Sequence, residues 1–265
     1  MTALMIAPTP RMSGFPAAIS LLPACLRRCA AAGLQLVVTA PADTRLFGAG
    51  LRRFPARQLD AAAHAGWSTA YRVFRGCGEQ PHDRGSWRVL VADGDGQVFG
   101  SITARFFCGE ITREHLYLSS LLAHIGPVFR DECERALADV FSTAKRDGGT
   151  PAELSEPVVL PGPHATLVAV TLARAMVALA AAFDGTVAVT ATDHGHSEFF
   201  RLMRLGGAPL GRSGKFFLPP FIDQATGTRM RLLVVDMAGV RPWLRAGASA
   251  DLEALRECCP IVSVR

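Results

Sequence analysis

The apolar positions of this chain alternate between the spacing of a strand and that of a helix, and each change of spacing marks an element. The plainest stretch runs from Trp87 to Phe107, where two β-rich runs flank Asp93-Gly94-Asp95-Gly96. Glycine accepts positive φ, so this pattern predicts an antiparallel hairpin with a tight turn. Gly100, inside the second run, predicts a bulge or a close approach by another element. Leu34 to Thr39 reads as an earlier strand, and residues 14–32 before it as an apolar helix carrying Arg27 and Arg28. Leu59, Ala62, Ala63, Gly66, Ala70 and Phe74 recur at helical spacing and predict a helix over 58–74.

After the hairpin, a polar and irregular stretch leads to a predicted helix over 126–146, with Val128, Cys133, Leu137, Val140 and Phe141 on or near one face. Gly148-Gly149-Thr150-Pro151 ends it. Leu154 to Leu160 reads as a strand by its β-branched residues, stopped by Pro161-Gly162-Pro163. A buried helix rich in Ala, Leu, Val and Met is expected over 166–183, capped by Asp184-Gly185, and Thr186 to Thr192 is apolar enough for the centre of a sheet. A short helix over 197–205, an edge segment from Leu210, a strand from Met230 to Met237 and a helix over 250–259 complete the pattern. It predicts an α/β fold in one domain over 1–265, with an N-terminal helical extension (about 1–33) and a C-terminal helical tail (about 240–265).

With 265 residues and 49% hydrophobic composition, the chain can bury a large core without disulfides. Its seven cysteines are odd in number, end in the adjacent pair Cys258 and Cys259, and contain no CxxC, which argues against a disulfide framework and a zinc knuckle. Buried thiols in a reducing compartment are expected instead. The opening residues lack a basic segment leading into a continuous apolar one, and Thr171 and Arg174 interrupt the most apolar stretch, so a cytoplasmic protein is expected. Arginine outnumbers lysine, as in proteins of GC-rich bacteria. The net charge of +5 is mild, and aromatic residues are not interleaved with basic clusters, so nucleic acid is not the expected partner. An acidic carrier protein or a phosphorylated cofactor suits the sign of the charge.

Two successive strands, each followed by a helix, imply a parallel pair, and ligands bind where such strands part at their carboxyl ends. That places Val158, Val159, Leu160 and the turn containing Gly162, His164, Ala165 and Thr166 beside Thr190, Ala191, Thr192 and Asp193. In Asp193-His194-Gly195-His196-Ser197 the two histidines have no third ligand at a metal spacing, so no metal is expected. Either Asp193 or Ser197 caps the next helix while His194 lines the cleft, or His194 takes part in catalysis. Glu153 and Glu156 lie on opposite faces of their strand by alternation, as candidate bases or as exposed strand-end acids. Cys108 reads as a buried thiol rather than a nucleophile.

In this order the elements resemble the GNAT superfamily of N-acetyltransferase-like proteins. Trp87 to Phe107 is similar to its central hairpin, Glu153 to Ala182 to its fourth strand and cofactor-binding helix, and Thr186 to Gly207 to its fifth strand and fourth helix. Glu153 to Leu160, the run Ala191 to Leu210 and Phe217-Leu-Pro-Pro-Phe-Ile-Asp resemble most the branch of acyl-homoserine-lactone synthases and long-chain N-acyl amino acid synthases. The likeness covers about residues 85–237. It implies a three-layer α/β/α fold with a mixed, splayed central sheet. It also implies acyl transfer from an acyl-carrier-protein or acyl-CoA thioester to a small amine or amino acid, without a metal. Glu156 is then the first candidate base, Glu153 stands behind it, His194 borders the reacting centre, and the strand amides of Val158 to Leu160 are the oxyanion donors.

The chain also departs from that pattern. Where acetyl-CoA users carry Arg/Gln-x-x-Gly-x-Gly/Ala, this chain has Pro161-Gly162-Pro163-His164-Ala165-Thr166, with one glycine and a proline that removes an amide donor. Leu202 stands at about the position where many members have a tyrosine, and the run Glu153-Leu154-Ser155-Glu156 lacks the arginine that the synthase branch often has shortly after its strand-four glutamate. The turn favours a carrier-protein thioester over free CoA. The alternative reading is a catalytically silent module that binds an acyl thioester or a protein partner.

Overall fold

The computed structural model describes residues 21–41, 70, 85–109, 111, 116–123, 125–154, 158–183, 185–192, 208–209, 220–223, 227–236, 242–258 and 261–262. The hairpin is where its sequence predicts it, as β2 (Trp87–Asp93) and β3 (Val98–Phe106). Asp93 closes the turn with its side chain, Oδ1 accepting from the amides of Asp95 at 3.0 Å and Gln97 at 2.9 Å. Gly96 takes φ 85°, the left-handed region that glycine enters without a Cβ penalty. Both alternatives for Gly100 are realised. The β2–β3 register shifts beside it, and a Cβ there would lie 2.5 Å from Val168 Cγ1 and 3.0 Å from the Val158 carbonyl oxygen.

Around the hairpin the chain runs through α1 (Leu22–Ala31) and β1 (Leu34–Thr39) before it, then α2 (Tyr117–Leu122), α3 (Pro127–Arg146), β4 (Thr150–Leu154), β5 (Val158–Val159), α4 (Ala165–Ala182) and β6 (Gly185–Thr192). It ends with β7 (Ala208–Pro209), β8 (Phe221–Asp223), β9 (Thr228–Asp236), α5 (Pro242–Cys258) and β10 (Ile261–Val262). The sheet order is β10-β1-β2-β3-β4-β6-β9-β7, with β5 beside β3 and β8 beside β9. Two pairings are parallel, β1 with β10 and β4 with β6, so the sheet is mixed.

Helices cover both faces. On one, α4 packs over Ile102, Ala104, Phe106, Leu154 and Ala188, with α1 and α5 outside it. On the other, Cys133, Leu137 and Phe141 of α3 and Leu118 and Leu122 of α2 meet Val189, Ala191 and Leu232. This is the expected three-layer α/β/α arrangement. Phe183 at the end of α4 stacks on Phe106 at 4.4 Å between ring centroids and meets Trp87 edge-on at 5.2 Å.

Helix α4 is long and apolar enough by composition to cross a membrane, yet 78% of it is buried inside the fold, as a core helix is. Its Arg174 is buried with a partner, the Asp251 carboxylate of α5 at 3.3 Å. Asp251 also accepts from the Leu22 amide at 2.7 Å, serving a donor in the first turn of α1 that has no acceptor within its own helix. One buried carboxylate therefore ties α1, α4 and α5 together. Burial pushes its pKa up, against the lowering effects of the Leu22 amide and the Arg174 charge.

Several expectations need correction. The stretch after the hairpin contains the helix α2, α5 begins at Pro242 rather than Ala250, and Thr150 and Pro151 belong to β4 instead of ending α3. Pro151 is tolerated because it sits near the start of its strand with its nitrogen toward β3, opposite Phe107 and past the last β3–β4 rung, so the missing N–H breaks no ladder bond. Val128 is exposed, not part of the α3 apolar face. Cys25, Cys29 and Cys133 are buried thiols as expected, whereas Cys108 is exposed. The helices expected over 58–74 and 197–205 lie outside the described residues, apart from Ala70, which is helical.

Candidate functional site

Strands β4 and β6 pair in parallel from Thr150 opposite Gly185 to Leu154 opposite Thr190. The next described residues on the first strand, Val158 and Val159, pair with Ser101 and Gly100 of β3. Meanwhile β6 continues to Thr192 along β9, with Ala191 opposite Leu232 and Thr192 opposite Arg231. The two parallel neighbours therefore part after Leu154 and Thr190. Along the way the register slips by one: four residue steps separate Leu154 from Val158, while three separate their partners Ala104 and Ser101.

The slip changes which backbone groups face the parting. In β4 the carbonyl of Pro151 accepts from the Phe107 amide at 2.9 Å, so odd-numbered residues turn their peptide groups toward β3. In β5 the Leu160 amide donates to the Phe99 carbonyl at 2.8 Å, so the even-numbered residues Val158 and Leu160 do so instead. Val159 thus turns its N–H and C=O away from β3, into the space that β6 has left. Of the three amides expected as donors, Val159 is the one aimed at the cleft, while Leu160 N–H is spent on the sheet.

Val158, Val159, His164 and Ala165 are half-buried, and Leu160, Gly162 and Thr166 are exposed around the turn into α4. Neither Pro161 nor Pro163 has an amide hydrogen, and the Ala165 amide donates to the Gly162 carbonyl at 3.2 Å, so half of the residues 161–166 have no amide to give a ligand. His164 occupies the cap position of α4 without a side-chain capping bond. Thr190 is wholly buried, its hydroxyl 3.3 Å from the Ala191 carbonyl, and the Ala191 side chain packs in the cluster beneath α2 and α3. Ala191 therefore borders the parting by its backbone only. Glu156, Asp193, His194 and Ser197 lie outside the described residues, and Thr192 is placed by its backbone as the last residue of β6.

Glu153 is fully buried, not a strand-end acid in solvent. Its Oε2 accepts from Arg105 at 2.5 Å and from the Tyr117 amide at 2.9 Å, and its Oε1 from the Leu118 amide at 2.7 Å. Arg105 stands directly opposite it on β3. A carboxylate at the first amides of α2 meets donors that the helix cannot satisfy itself, and the guanidinium neutralises it. Glu153 has the geometry of an anchor that fixes α2 to the sheet. Arg105 was not singled out in the sequence. Its signal is a charge inside the apolar run Ile102 to Phe107, which only a buried partner permits.

A separate cavity of about 500 Å³ lies between α2 and α3, bordered by Leu116, Ser119, Leu137, Phe141 and Lys145 among others and by none of the residues around the parting. Among the described residues, no group of three or more His, Cys, Asp or Glu side chains is arranged to hold a metal ion.

A mixed sheet between helical layers, whose parallel pair β4–β6 parts at its carboxyl end beside a one-residue slip, is thus the frame of the site. No protein-family model matches the chain, and no curated protein does. Among solved structures it is similar to the N-acyl amino acid synthase FeeM from uncultured soil microbes, at 12% identity and a TM-score of 0.44 over 72% of this chain and 92% of FeeM. It is similar to the AHL synthase LasI at 16% identity and a TM-score of 0.41, over 77% and 89% of the two chains. The CoA-dependent acyl-homoserine lactone synthase BjaI is similar at 11% identity and a TM-score of 0.43, over 88% and 93%.

Proposed function

We propose that the protein is an N-acyltransferase that moves an acyl group from a phosphopantetheine thioester to a small amine or amino acid. The observation that carries this reading is the parting of β4 and β6, with the Val159 peptide group turned into the gap. A pantetheine arm is an extended amide chain, and such a gap receives it as a missing strand through backbone hydrogen bonds. The Val159 N–H then points at the thioester carbonyl and stabilises the oxyanion that forms when the amine attacks. The amine nitrogen bonds to the carbonyl carbon, the C–S bond breaks, and the thiolate leaves with a proton, giving an amide and a free thiol. We assign removal of the amine proton to Glu156, because Glu153 is committed to Arg105 and the α2 amides.

The turn from Pro161 to Thr166 supports an acyl-carrier-protein donor over acyl-CoA, since its two prolines have no amide to give a pyrophosphate. The test is release of thiol from octanoyl carrier protein and octanoyl-CoA, with and without a mixture of amines and amino acids. Amine-dependent release, faster from the carrier protein, is expected. Thioester binding without amine-dependent release would establish the second reading, a silent acyl-thioester-binding module, which the commitment of Glu153 to Arg105 favours. Absence of both would overturn each.

A further inference from the structure

We propose that Arg229, Arg231 and Ile222 form the surface on which an acidic carrier protein docks to deliver the acyl arm; this rests on the acyl-thioester reading above. Strand alternation divides β9 cleanly. Met230 and Leu232 are buried in the cluster under α2 and α3, while Arg229 and Arg231 project from the opposite face, that of α4, and are exposed. The register fixes where on that face they stand. Arg231 lies opposite Thr192, the last residue of β6, and Arg229 lies opposite Ile222 of β8, beyond the last rung with β6. Two residues back toward the core, Leu233 opposite Thr190 is already buried. The arginines therefore begin where the covered sheet ends, at the same end as Leu160 and the turn into α4, which is the open mouth of the parting.

The composition of this patch is that of a protein interface. Ile222 is 54% exposed although it is a large apolar side chain, and it stands directly across from Arg229. Exposed isoleucine beside arginine is the combination that interfaces favour, with the guanidinium supplying directed donors to carboxylates. Among the described residues neither arginine is in an ion pair.

The test compares binding of octanoyl carrier protein and of S-octanoylpantetheine, which has neither protein nor phosphate, to the full-length wild type and to Arg229→Glu/Arg231→Glu. Both positions are exposed, and circular dichroism checks the fold. Charge reversal should raise the carrier-protein Kd roughly tenfold or more and flatten its salt dependence, while the S-octanoylpantetheine Kd stays within about twofold. Arg229→Lys/Arg231→Lys should retain most of the carrier affinity. An unchanged carrier Kd, or an equal loss for both probes, would overturn the assignment. Wild-type binding of S-octanoylpantetheine without carrier binding would overturn the docking surface and leave the acyl-thioester reading standing. Binding of neither would overturn both.

Discussion

Replacing Gly100 by alanine perturbs the one place where β3, β5 and α4 are pressed together. The added Cβ would stand 2.5 Å from Val168 Cγ1, 3.0 Å from the Val158 carbonyl oxygen and 3.1 Å from Leu172 Cδ1. Val168 and Leu172 are almost wholly buried, so neither can swing into solvent, and the Val158 oxygen is backbone held by the β3 ladder. The methyl group must push α4 or β5 outward, and overpacking of this kind costs about 1–3 kcal/mol, equivalent to roughly 2–10 °C in Tm for a chain of this size. Thermal unfolding followed by circular dichroism measures it, with Gly94→Ala as the control, because nothing lies within 4 Å of a Cβ there. Adding Val168→Ala to Gly100→Ala removes the shortest contact and should restore part of the loss. Since β5 and α4 frame the cleft, Gly100→Ala should also weaken thioester binding. Equal stability of Gly100→Ala and Gly94→Ala would refute the claim that close packing selects glycine at this position.

Arg105→Met leaves the Glu153 carboxylate buried without its cation and should cost about 3–5 kcal/mol in urea unfolding, with Glu153→Gln milder because its amide oxygen still accepts; a loss under about 1 kcal/mol for Arg105→Met would contradict the anchor. Asp251 has a raised pKa in the fold, so the folded state holds more protons than the unfolded chain from the ordinary carboxyl range upward, and this group's contribution, greatest below that range, falls as pH rises through the raised value. Stability of the wild type relative to Asp251→Asn should therefore decline as pH rises above the ordinary carboxyl range, and an opposite slope would show the Arg174 charge outweighing desolvation. Iodoacetamide at pH 8, read peptide by peptide, should label Cys108 well before Cys25, Cys29 or Cys133, whose thiols burial pushes up, that of Cys133 to about 12. Comparable labelling of Cys133 would contradict its burial.

The strands β1, β2, β3, β6 and β9 were legible in the sequence because their side chains alone carry the pattern: β-branched and apolar runs bounded by glycine or aspartate. Gly100 was legible for the same local reason. Helix α2 was not, because its six residues are too few for a period and its first turn depends on Glu153, more than 30 residues later in the chain. The start of α5 was hidden by Arg245-Ala-Gly-Ala-Ser, which carries no apolar repeat. The parallel pair behind the cleft followed from the order of strands and helices. The one-residue slip that turns Val159 into it did not, since that exists only relative to β3. Likewise Glu153 could be seen as a strand carboxylate, but its commitment to Arg105 is a matter of register, which neither residue declares by itself.

Hydrogen–deuterium exchange of the full-length protein, with and without a non-hydrolysable octanoyl-pantetheine thioether, tests the cleft most directly. The account predicts slowed exchange in peptides covering 158–166 and 188–192, where the arm would take the place of a missing strand beside Val159, and unchanged exchange in peptides covering 131–145 around the cavity between α2 and α3. Protection confined to 131–145, with 158–166 unaffected by saturating ligand, would contradict it.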